Sequence, residues 1–247
     1  MAEIEMWTDQ SLQAFAAMAR LQINDAARLW LRAAAIVEAA PSPASSLAAS
    51  RSNVGVAHTI LGNANEARHA FREAEKGWRL VVAGIATLDI PMTGATSFHF
   101  RLATKVPHAL IEARRQRYRQ LAEAALSITR FNRLLIDAGD PASEIVTLQA
   151  RDLRAMLREI LGASSPEVRL LATAAEQAAD ASVFSSYAAK AADFANRQHT
   201  LSTALSEDCA ALETAVALTA LLGPQTFSAV RHLRETEKAR SEIGMQH

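Results

Sequence analysis

The chain has 247 residues with 26 basic and 26 acidic side chains, so its formal net charge is zero and no global field draws it to nucleic acid or to an anionic membrane. Half of the residues are hydrophobic, aromatics make up only 5%, and Gly and Pro are scarce, a profile that favours close-packed helices over a β-rich fold. The single cysteine, Cys209, excludes intramolecular disulfides and multi-Cys zinc sites.

The start, Met1 to Glu5, is acidic and lacks the basic opening and apolar run of a signal peptide. The best apolar run, Thr214 to Leu222, is about half of the ~18 residues that a membrane span needs. A reducing cytoplasm is the expected compartment.

Helical signals then run nearly throughout. A first hairpin is expected from Asp9 to Leu21 and from Asp25 to Ala40, with Asn24 or Asp25 as N-cap. After the loop Pro41 to Ser46, a second hairpin runs from Leu47 to Leu61 and from Ala64 to Ala86. Gly62-Asn63 supplies its turn, and Glu66, three residues after Asn63, completes a capping box. Residues 88–106 carry Pro91, Gly94 and several β-branched residues and read as a loop. Pro107 suits the first position of a long helix reaching Ala138. Further helices are expected from Pro141 to Leu161, across the Ala-rich stretch 166–222 with a break near Ser206 to Asp208, and from Pro224 to Glu242. Three regions follow: hairpins over 1–87, a linker over 88–106, and a helical bundle or continued solenoid over 107–247.

The hairpins repeat a pattern. Ala26, Trp30 and Ala33 match Ala67, Phe71 and Ala74 at an offset of roughly 41 residues. Gly55 and Gly62 complete Gly-x6-Gly-x4-Ala-x3-Phe-x2-Ala in the second copy. Over about residues 9–80 this resembles the tetratricopeptide repeat family, whose period is about 34 residues. The Pro/Ser-rich loop absorbs the longer offset. His58 and Val54 depart from the family's Tyr and Leu preferences, and the helix-ending Pro is missing. The resemblance implies an all-α fold of stacked hairpins with a concave groove that binds peptides. It also places Arg51 and Asn53 on the groove-lining helix, without the family's full carboxylate clamp.

Two patterns bear on chemistry. Glu66 and His69 have the Glu-x-x-His spacing of helical di-iron sites, but no second such pair exists, and His232-x-x-Glu235 runs in the reverse order. Capping accounts for Glu66, and a surface position beside the Ala67/Phe71 stripe accounts for His69. Cys209 directly follows Glu207 and Asp208, and no nucleophile elbow or phosphate-binding Gly loop is present. The stretch Arg114, Arg115, Arg117, Tyr118 and Arg119, by contrast, forms a basic, Tyr-bearing start to a helix whose apolar seam begins at Leu121. Bidentate arginines there suit an acidic segment or an anion. Thr96 to Arg101, with Phe98, His99 and Phe100, reads either as a lid or as a loop tucking two Phe into the core.

The expected function is a non-enzymatic cytoplasmic adaptor or chaperone-like scaffold that holds a protein or peptide partner, one with an acidic segment being favoured, through Arg51, Asn53, Arg114, Arg115, Tyr118 and Arg119. No cofactor, nucleic acid or membrane is expected, and a homo-oligomer is compatible with the sequence. The alternative is a helical-bundle metal or cofactor enzyme built on Glu66, His69, His99 and His108. A regulator with a small-ligand pocket between the two halves is a third reading.

Overall fold

The computed structural model describes residues 2–87, 108–162 and 207–244. The expected loop 88–106, with its Phe98-His99-Phe100 cluster, and most of the Ala-rich stretch after Pro166 lie outside the described residues. Those described are all-helical, with no strand among them. In chain order the helices are α1 (Ala2–Ala19), α2 (Ile23–Ala39), α3 (Ala44–Leu61), α4 (Ala64–Gly84) followed by a 3-10 turn (Ile85–Thr87), α5 (His108–Ala138), α6 (Glu144–Gly162), α7 (Glu207–Leu218) and α8 (Pro224–Gly244). None of the described helices is long and apolar enough to cross a membrane.

Each helix from α1 to α5 packs on the next one in the chain, while α3 also meets α5, and α7 lies against α1, α3 and α5. The sequence dictates how. In α2, Ile23, Ala26, Ala27, Trp30, Ala33, Ala34 and Val37 recur every three or four residues and are buried on one stripe. Helix α4 repeats the device with Ala67, Ala70, Phe71, Ala74 and Trp78. The ring of Phe15 on α1 meets Trp30 edge-on at 5.6 Å, a favourable quadrupole geometry.

Helix α3 differs because it is enclosed on several sides. Its buried residues are mostly small: Ser45, Ser46, Ala48, Ala49, Ser50, Ser52, Asn53, Gly55, Val56 and Ala57. Small side chains let α2, α4, α5 and α7 all approach it. Gly55 marks the closest approach, since a Cβ there would stand 2.6 Å from ring carbons of the fully buried Phe71.

The turns are set by left-handed residues. Gly62 (φ +80°) lets its own N–H reach Thr59 O at 3.1 Å and that of Asn63 reach His58 O at 2.8 Å, a Schellman close that ties off α3. After α1 the same pair of bonds forms around Leu21, a non-glycine held at φ 62°. Two expected caps are corrected. Helix α2 begins at Ile23 with Gln22 as N-cap, so Asn24 and Asp25 fall inside its first turn. Asn63 does occupy the N-cap of α4, but its side chain makes no capping bond and instead turns to within 3.5 Å of His58 Nδ1.

The expectation that helix continues to residue 222 is also corrected, because α7 ends at Leu218. Residues 219–223 are non-helical and fully enclosed, and Gly223 (φ 59°) then turns the chain into Pro224, the first residue of α8. One apolar core runs from Trp7 in α1 through α5 to Leu222 and Val230.

Replacing a helical glycine by alanine ordinarily gains about 1 kcal/mol of helix propensity. At Gly55 the overlap with Phe71 dominates, so Gly55→Ala is expected to destabilise the protein by about 1–3 kcal/mol in urea unfolding; a stabilised variant would contradict the close packing of α3 on α4.

Candidate functional site

Leaving the helical path inside a core frees main-chain groups that water cannot reach, and each must find a partner. Two asparagines supply those partners for the stretch after α7. Asn53 of α3 donates through Nδ2 to the Leu218 carbonyl at 2.9 Å and accepts the Ala220 N–H on Oδ1 at 2.9 Å. Asn132 of α5 donates through Nδ2 to the Ala220 carbonyl at 2.7 Å and accepts the Leu222 N–H on Oδ1 at 2.8 Å. The groups engaged belong to alternate residues, 218, 220 and 222, which is the pattern one edge of an extended chain presents. The two side-chain amides thus replace a neighbouring strand. Both asparagines are buried, as are Thr219, Ala220, Leu221 and Leu222.

The surroundings fix this geometry. Thr129 Oγ1 lies 2.9 Å from the Ala125 carbonyl and 3.1 Å from Ser52 Oγ, tying α5 to α3 beside the two asparagines. Thr219 closes α7, its N–H reaching Val216 O at 3.2 Å and its hydroxyl donating to Ala215 O at 2.9 Å.

A charged seam joins α4 to α5. The Glu75 side chain is only 6% exposed and meets Arg133 Nε at 2.6 Å, Arg79 at 3.4 Å and Arg130 at 3.8 Å. Arg133 also reaches Asp137 at 3.1 Å, which in turn pairs with Arg68 of α4 at 2.9 Å. The bond to Glu75 raises the Arg133 guanidinium above its ordinary pKa, against the opposing effect of partial burial. A lone buried carboxylate would be costly, and this one is satisfied by several cations.

Tyr118 lies where α5 meets α7. Its ring is buried and its hydroxyl bonds with Cys209 of α7. Burial first, and then the negative charge of Glu213, push the phenol well above its ordinary value.

The residues named from sequence therefore divide. Asn53 and Tyr118 come together against α7, at its C-terminal and N-terminal ends respectively. Tyr118 corrects the expectation of a Tyr-bearing surface, because its ring serves the core. Arg51 lies two residues, or about 200° of helical rotation, from Asn53 and faces Glu38 of α2 at 3.9 Å. Arg115 pairs with Glu112 at 2.7 Å and Arg119 is exposed, whereas the side chains of Arg114 and His108 lie outside those described, as does His99. Glu66 and His69 are both exposed, and among the described residues no three His, Cys, Asp or Glu gather into a metal-binding group. Sequence reasoning missed Asn132, Thr129 and Glu75. Each interrupts a buried stripe, Asn132 four residues after Ile128 and Glu75 four after Phe71, and a polar group on such a stripe is the signal that marks it.

What the geometry defines is a set of sequentially packed helices with an extended main chain after α7 gripped by asparagines of α3 and α5. Comparison with protein-family models, with curated proteins and with solved structures finds no match.

The raised phenol pKa gives a pH test. Below pH 10 the folded and unfolded states both keep the Tyr118 proton, and its contribution to stability is fully present. Above that, the unfolded chain releases a proton that the folded chain retains, so stability falls by about 1.4 kcal/mol per pH unit from this group. Chemical denaturation between pH 8 and 11 is expected to show that slope in the wild type and its reduction in Tyr118→Phe; identical slopes would place the phenol in water.

Proposed function

We propose that the protein is a non-enzymatic adaptor or chaperone-like scaffold of tetratricopeptide-like, solenoid character, acting in the cytoplasm and binding a protein or peptide partner on the face shared by α1, α3 and α5. One observation carries this reading: that face holds an extended main chain through Asn53 and Asn132, in the manner of a peptide-recognition groove. The sequential packing of α1 to α6 supports it, because stacked hairpins present such faces as a matter of geometry.

Recognition then has two parts. Asparagine amides bond main-chain groups whatever the side chains, so they supply affinity with little sequence selection. Selection falls to the rim, where Arg119 is exposed and Arg115 pairs with Glu112. Such an i,i+3 surface pair contributes little to stability and yields readily to a better carboxylate partner. A partner with an acidic segment beside an extended stretch fits both parts.

The reading is tested with Arg115→Glu/Arg119→Glu in the full-length protein. Capture of the partner from native extract should fall by about tenfold or more, while urea stability stays within about 0.5 kcal/mol of wild type. Undiminished capture by the folded variant would remove the arginine rim from the interface.

A further inference from the structure

The occupant of the groove is part of the chain itself, and its chemistry resembles that of a ligand more than that of a core element. Segment 218–222 reads Leu-Thr-Ala-Leu-Leu, is uncharged, and receives from the two asparagines four bonds that all go to its main chain. Any uncharged extended peptide with a small residue at the position of Ala220 could make the same four bonds. Helix α7 fills the remainder of the face, but a helix satisfies its own backbone and leaves groove hydroxyls unused. Ser46 and Ser50 lie on the same stripe of α3 as Asn53, two turns and one turn before it, and are buried. Among the described residues neither hydroxyl has a hydrogen-bond partner. An extended peptide continuing past Asn53 along α3 would offer them main-chain groups.

Beyond the segment, α8 buries Val230 and packs Phe227 and Leu233 against the core. Helix α8 is fastened by Arg231, which donates to the Gly139 carbonyl at 3.3 Å, and by Arg234 lying over Gly62. A half-open cavity of about 380 Å³ separates it from the ends of α3 and α5, lined by Thr59, Ile136, Phe227 and Val230 among others.

We propose that segment 218–222 is a displaceable internal ligand, and that the groove takes in trans an uncharged, extended peptide with a small central residue, which competes with this segment for Asn53 and Asn132. The proposal rests on the adaptor reading and adds its regulation: the groove is closed until the segment leaves. Apparent affinity for an outside peptide is lowered by the fraction of molecules whose groove is self-occupied, so a change that ejects the segment raises affinity without altering the groove.

The experiment uses the full chain and a fluorescent peptide of its own sequence from Thr214 to Pro224, carrying a lysine tail for solubility. Ala220 is fully buried, and Ala220→Arg cannot be accommodated there. Anisotropy titration should show Ala220→Arg binding the peptide about tenfold or more tightly than wild type, with the gain lost on adding Asn53→Leu and Asn132→Leu. Equal binding by wild type and a folded Ala220→Arg would overturn the proposal. If that variant fails to fold, hydrogen exchange in the wild type decides: saturating peptide should speed exchange at the Ala220 and Leu222 amides, and unchanged rates would likewise overturn it. Neither negative result touches the arginine rim, so failure here is distinguishable from failure of the adaptor reading.

Discussion

A main chain that stops being helical inside a core exposes donors and acceptors where no water can bond them, at about 1–3 kcal/mol for each left unpaired. Four such groups follow α7, and all four are satisfied by two asparagine side chains from different helices. Much else in the arrangement serves those pairings. Helix α3 is built of small residues so that α5 and α7 can come within reach of Asn53, and the Ser52–Thr129 contact fixes the spacing between the two amides. Tyr118 and Cys209 fasten the opposite end of α7.

The Glu75 seam has a complementary role. It locks α4 to α5 on the side away from α7, through a carboxylate that several guanidinium groups share. Arg133 and Asn132 are adjacent in sequence and point to different neighbours, one to Glu75 and one to Ala220. The orientation of α5 about its own axis is thereby fixed from two sides. That rigidity suits the proposed peptide-binding role, since a preorganised set of donors would lose less entropy on binding.

The hairpins were legible because their physics is local. Apolar residues at helical spacing named the buried stripes of α2 and α4, and Gly62 named a turn that only a left-handed residue closes. What ends α7 is not local. Thr219-Ala220-Leu221-Leu222 has the composition of a helix, and the run stops at Leu218 because Asn53 and Asn132, more than eighty residues away in the chain, offer its backbone other partners. Tyr118 was hidden by its arginine neighbours, although it lies three residues before Leu121, where the α5 seam begins, and continues that seam by one turn. Asn53 was legible as a groove residue only through the family resemblance; what it grips came from the tertiary arrangement.

The central claim is that the side-chain amides of Asn53 and Asn132 hold the main-chain groups of Leu218, Ala220 and Leu222. Amide hydrogen exchange at Ala220 and Leu222 measures this most directly. The account predicts exchange several orders of magnitude slower than in an open chain, with Asn132→Leu releasing Leu222 and Asn53→Leu releasing Ala220 ahead of the rest of the core. Exchange of both amides at open-chain rates in the wild type would contradict it.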